Sequence, residues 1–150
     1  MRLVVLSKAR FKLYHVTDRE NVLSIREHGI RPSRTECPNP AFNPPGRELA
    51  VFATDRDTQK RTGAYRSEDD APYSIVEFEP DEALVKKGMV GDIYGECGQF
   101  YAKTLTPLRE FIADYPESLR LYVEAEVYFP GATIPPGMIT NVYPSEENIP

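Results

Sequence analysis

Cysteine is scarce in this chain. Its 150 residues hold two, Cys37 and Cys97, 60 positions apart, with no CxxC pair and no histidine at ligand spacing. That excludes the common zinc frameworks and points to idle thiols in a reducing compartment. Long apolar runs are missing as well. The opening "MRLVVLSKARFK" has an apolar run of four residues, too short for a secretory core or a membrane span. The expected setting is therefore cytoplasmic and away from membranes, although an effector exported without a signal peptide has the same profile. There is no surplus of positive charge: 18 Lys and Arg against 23 Asp and Glu leave a net charge of −5. A broad electrostatic grip on nucleic acid needs a basic stripe, so this balance argues against one. Glycines number 9 against 14 prolines, which suits a loop-rich α+β body with rigid turns rather than a helical bundle. No repeat, low-complexity tract or linker divides the chain, and its length suits one domain over residues 1–150.

What is present begins with "FKLYHV", which alternates as a strand, followed directly by "TDRENVLSIREHGI". Thr17 and Glu20 have capping-box spacing, Asp18 adds negative charge at the helix start, and Val22 and Ile25, with Leu23 as a further candidate, supply an apolar stripe. Gly29, just past Arg26 and His28, marks the stop. Residues 30–47 carry five prolines and no periodicity, and are predicted as a long loop able to act as a lid. "LAVFAT" reads as a short buried strand, and "DRDTQKRTGAY" as a polar helix capped by Thr54 or Asp55. "YSIVEFE" reads as another strand. Residues 80–107 are ambiguous, with about one helical turn, and "TPLREFIADY" as a helix with Thr106 as cap and Pro107 at its first position. "GATIPPGMITNVYP" ends the chain with a turn and a last short strand.

The segment "LRLYVEAEVYFPG", residues 119–131, is predicted as one strand. Period-two alternation sorts Leu119, Leu121, Val123, Ala125, Val127 and Phe129 onto one face. Arg120, Tyr122, Glu124, Glu126 and Tyr128 fall on the other. Two carboxylates among aromatic rings are an unusual mixture for a solvated surface.

Three segments together resemble the ADP-ribosyltransferase superfamily, in its His-Tyr-Glu, diphtheria-toxin-like branch. "LYHVTDRENVLSIREHGIRPS" is similar to that branch's opening strand and helix. "VFATDRDTQKRTGAYRS" is similar to its aromatic-small-Thr-Asp strand with the following helix. "VEAEVYFPGATIPP" looks like the strand that holds the catalytic glutamate. The run from "AEV" to "IPP" is similar to DNA-modifying toxins of the DarT type, and the ExE at Glu124 and Glu126 to arginine-modifying members. The resemblance implies an α+β, split β-sandwich with short flanking helices. It also implies a mono-ADP-ribosyltransferase that takes NAD as substrate and acts as a monomer.

By the same resemblance, Glu126 is the catalytic carboxylate, and Glu124, one step of ~7 Å along the strand, prepares the acceptor. His15 contacts the adenosine ribose and the cofactor's backbone, with Val16 and Thr17 beside it. Phe52 and Tyr65 compete as the nicotinamide platform. Two positions depart from the pattern: Val16 stands where many relatives have glycine, and Phe52 where they have tyrosine. The chemistry suits these residue types. Cleaving the nicotinamide–ribose bond develops positive charge on the sugar, so a carboxylate held rigidly on a strand is what the reaction asks for.

Each residue also has a plainer reading: Glu126 as a strand glutamate paired with a cation, His15 as a structural histidine, Phe52 as core. The alternative for the whole chain is a degenerate relative that binds a nucleotide, ADP-ribose or a partner. The acceptor stays open among a protein side chain, a nucleic-acid base and a small molecule.

Overall fold

A computed structural model describes residues 11–34, 49–55, 73–92, 105–122 and 125–143. These form an α+β arrangement of two antiparallel sheets and a few short helices. The first sheet has the order β1-β4-β8, from β1 (Leu13–Asp18), β4 (Tyr73–Phe78) and β8 (Ile139–Tyr143). The second has the order β2-β3-β7-β5-β6, from β2 (Ser33–Arg34), β3 (Leu49–Ala53), β5 (Met89–Asp92), β6 (Leu105–Pro107) and β7 (Ala125–Pro130). Helices α1 (Val22–His28), α2 (Glu82–Val85) and α3 (Leu108–Ala113) flank them.

One buried cluster draws on both sheets. Leu13, Val76 and Phe78 come from the first, and Val51, Ala53, Val90, Val127 and Phe129 from the second. Phe78 and Phe129 are fully buried and meet edge to face, with ring centroids 6.1 Å apart. Each large side chain removed from water in this way contributes about 1.5–3 kcal/mol. Phe111 extends the cluster towards Phe11, Tyr115 and Tyr122 through tilted and edge-on ring contacts.

Several local expectations meet a different outcome. The β1 strand runs through Thr17 and Asp18, so Thr17 does not cap α1; its Oγ1 accepts a hydrogen bond from Asn21 Nδ2 at 3.1 Å instead. A single 3-10 turn, Arg19–Asn21, joins strand to helix without a side-chain cap. The α1 stop at Gly29 is as read, and its cause is twofold. Its φ is +83°, and an added Cβ would lie 2.2 Å from the Ile134 carbonyl oxygen. Only glycine accepts both that rotation and that approach.

The predicted strand over residues 119–129 is shorter than its alternation suggests. Glu117–Leu121 is a 3-10 helix and β7 starts at Ala125. Leu121 is 61% exposed, and Tyr122 joins the core with its hydroxyl bonded to Thr106 Oγ1. Tertiary packing of one aromatic ring therefore overrode a local pattern of leucines. Thr106 and Pro107 belong to β6, and α3 begins at Leu108, with Pro107 as its N-cap. Residues 80–107, ambiguous by sequence, supply α2, β5 and β6. At the start of the predicted loop over 30–47, Ile30 bridges Ile134 and Ser33–Arg34 pair with β3. The rest of that loop, and the predicted helix over 55–65 beyond Asp55, lie outside the described residues. Asp55 itself is buried and accepts from the Tyr115 hydroxyl.

Among the described residues, no helix is long and apolar enough to cross a membrane.

Candidate functional site

The site grows from one edge of β3. In an antiparallel ladder, successive residues direct their backbone groups to opposite neighbours. Leu49 accepts from Gly131, on the β7 side. Ala50, Phe52 and Thr54 thus address the other edge. Ala50 pairs with Ser33 of β2, and Thr54 exchanges two backbone hydrogen bonds with Tyr14 of β1, at 2.8 and 3.0 Å. Between these two neighbours lies the Phe52 carbonyl. His15 reaches it, with Nδ1 2.7 Å from that oxygen.

A carbonyl oxygen can only accept, so Nδ1 carries the proton and the neutral ring keeps Nε2 as an acceptor. Burial pushes the His15 pKa below its ordinary 6.5; the hydrogen bond to Phe52 pulls it up without cancelling that effect. At neutral pH the imidazole is uncharged, with its tautomer chosen by the β3 backbone.

The fork where β1 and β2 part along β3 opens into a cleft of about 470 Å³. That volume falls in the range of small-molecule sites, roughly 300–1,000 Å³. His15, Val16 and Thr17 line its β1 wall, Asn21, Ser24 and Ile25 its α1 wall, and Gly29 to Arg31 with Ser33 the third side. Asp18 and Tyr73 complete it. Arg19 stands beside it and donates from Nη2 to the Tyr73 carbonyl at 3.3 Å. The third side is clamped: Ile30 and Ile134 exchange backbone hydrogen bonds of 2.9 and 2.8 Å.

His15, Val16 and Thr17, all singled out from sequence, thus share one cavity. Phe52 meets His15 through its carbonyl, while its half-buried ring faces elsewhere: it lies 6.4 Å from the Tyr128 ring, at 30°. Glu126 stands in the middle strand of the second sheet and is 8% exposed. It is opposite Gly91 on β5, and on the β3 side one residue beyond the Ala53–Val127 pair, beside Thr54. Tyr14, Thr54 and Glu126 therefore follow one another across three adjacent strands, about 5 Å per step. Among the described residues, Glu126 and Phe52 do not line the cleft. Glu124 and Tyr65 lie outside the described residues.

Sequence reading missed Asn21, Ser24, Arg31, Ser33 and Tyr73. A signal existed for Asn21 and Ser24: their i, i+3 spacing puts them on one helix face, beside Thr17. Tyr73 and Ser33 arrive through long-range pairing, which leaves no local trace. No group of three or more His, Cys, Asp or Glu side chains that could hold a metal ion occurs among the described residues. No family model matches the chain, and no curated protein matches its sequence.

Proposed function

We propose that the protein is an NAD-dependent mono-ADP-ribosyltransferase with an ADP-ribosyltransferase-like split β-sandwich. The observation that carries the reading is His15: a neutral imidazole on a cleft wall, its tautomer chosen by the Phe52 carbonyl, on a strand joined through Thr54 to the strand of Glu126. Two motif segments from distant parts of the sequence meet there through backbone geometry.

In this reading the cleft takes the dinucleotide. His15 Nε2 accepts from a ribose hydroxyl, and the hydroxyl and amide groups of Thr17, Asn21 and Ser24 replace the water lost on binding. The bond between ribose and nicotinamide breaks, with its electron pair leaving on nicotinamide. Glu126 stabilises the cationic sugar. The acceptor nucleophile then bonds to the sugar and gives its proton to a base, the role proposed for Glu124. Phe52 or Tyr65 provides the ring surface for nicotinamide. The acceptor is a protein side chain, a nucleic-acid base or a small molecule.

The test is nicotinamide release from NAD by the protein and by Glu126→Gln, with NAD binding measured in parallel. Turnover by the parent and a fall of about 10²–10³-fold in the variant, with binding retained, is the expected result. Equal turnover by both removes Glu126 from the mechanism.

One observation favours a second reading. The cleft lining holds His15 but not Glu126, which suits a degenerate relative that binds NAD or ADP-ribose without cleaving it. Binding by both proteins with no nicotinamide released by either would select it.

A further inference from the structure

Glu77 is a buried carboxylate, 5% exposed, in the middle strand of the first sheet. Its neighbours Val76 and Phe78 point into the core, so its side chain takes the outward face. Donors reach it from both flanking strands. From β8, Thr140 Oγ1 donates to Oε1 at 2.6 Å and the Tyr143 hydroxyl to Oε2 at 3.1 Å. From the β1 side, Lys12 Nζ lies 3.2 Å from Oε1, and the Tyr14 side chain also donates.

The β8 geometry has a specific cause. Glu77 pairs with Asn141 but Phe78 pairs with Ile139, which leaves Thr140 as the extra residue of a β-bulge. A bulge re-aims a side chain; here it turns the Thr140 hydroxyl onto the carboxylate. Burial alone raises the pKa of Glu77, yet donation from Thr140, Lys12, Tyr14 and Tyr143 outweighs it and the pKa is lowered.

The β1 partners matter for the cleft. Tyr14 lies directly across from Glu77, and it is the residue whose backbone joins β1 to Thr54 of the second sheet. Period-two alternation means that a Tyr14 side chain held outward directs His15 to the other face, and a slip of one residue would reverse both. We infer that Glu77 is a positioning residue for the cleft, holding β1 through Lys12 and Tyr14 so that the His15 ring meets the Phe52 carbonyl. The consequence for binding rests on the proposed reading of the cleft as an NAD site; the consequence for His15 does not.

Tyr14→Phe and Tyr143→Phe each delete one hydroxyl donor to the same carboxylate, the first on the β1 side and the second on the β8 side. The readout is ¹⁵N NMR of the imidazoles: the ring shifts that report the tautomer, and the solvent-exchange rate of the His15 Nδ1 proton. The chain has two histidines, and exposed His28 serves as the internal reference. The expected result is exchange at His15 faster by about two- to tenfold in Tyr14→Phe, the size of one net hydrogen bond, and no change in Tyr143→Phe. Unchanged exchange in Tyr14→Phe, or an equal change in both variants, overturns the inference, because Glu77 would then act only through the stability of the sheet. NAD titration of the same samples separates the two readings. The expected His15 response in a protein that does not bind NAD upholds the positioning role and removes the cleft's assignment.

Discussion

Each sheet buries one glutamate in its middle strand, Glu77 in β4 and Glu126 in β7, and to a similar degree, 5% and 8% exposed. Both point away from the shared core. Their settings differ. Glu77 has side-chain donors on both flanks, among them its cross-strand partner Tyr14. Glu126 has Gly91 as its cross-strand partner on β5, and Tyr128 two positions along the same face. Burial by itself therefore does not say what a strand carboxylate does. One surrounded by side-chain donors from its own sheet is a fastener; the other is the carboxylate to which the proposed reading gives a part in the chemistry.

The sharpest way to break that contrast is to substitute both. Glu126→Gln should cost two to three orders of magnitude in nicotinamide release and little stability. Glu77→Ala should do the reverse. It removes the charged acceptor that the Thr140, Tyr14 and Tyr143 hydroxyls and the Lys12 ammonium share, and unfolding should become easier by about 1–3 kcal/mol, read from denaturant midpoints. If Glu126→Gln is the destabilised protein and Glu77→Ala the stable one, the roles are exchanged.

Gly29→Ala tests the wall rather than the carboxylates. It needs a left-handed backbone at residue 29 and a displaced Ile134 carbonyl, so a loss of about 1–3 kcal/mol is expected, together with weaker NAD binding. Unaltered stability would mean that the Ile30–Ile134 clamp is loose.

The smallest effect is the dependence on pH. His15 has a folded pKa below its ordinary 6.5, so the unfolded chain binds the proton more readily. Its contribution is complete above pH 6.5 and shrinks as pH falls towards the lowered folded value. Glu77 also has a lowered pKa, but from 4.5. Its contribution is complete above that and is lost as pH falls through the folded value. Denaturant midpoints should therefore decline in two windows on acidification. His15→Asn should flatten the upper one and Glu77→Gln the lower. A midpoint constant from pH 7 to pH 5 in the parent would contradict the lowered pKa of His15.

The five longer strands were readable because their apolar residues are frequent and bounded by turns, as in "LYHV", "LAVFA", "YSIVEF", "EVYF" and "ITNVY". The α1 stop was readable because glycine after a basic last turn is a local signal. The 3-10 helix at Glu117–Leu121 was not readable. Leu119 and Leu121 alternate like strand residues, and only the burial of Tyr122 against Phe111 settles the matter. The short strands β2, β5 and β6 offer two to four residues each, too few for any period to emerge. Of the site, His15, Val16 and Thr17 were visible as a motif; Ser33, Tyr73 and the Thr140 bulge reach their places through partners dozens of residues away.

By itself the amino-acid order determined which residue types could do chemistry and on which kind of element most of them sit, since alternation and end signals act over a few residues. The fold decided their company: that His15 meets the Phe52 carbonyl of another sheet, that a glycine and an isoleucine carbonyl brace the cleft, and that Glu77 gathers donors from both flanking strands. Those are consequences of strand order and register, which arise from burying the side chains of both sheets in one core and are written in no local stretch of the chain.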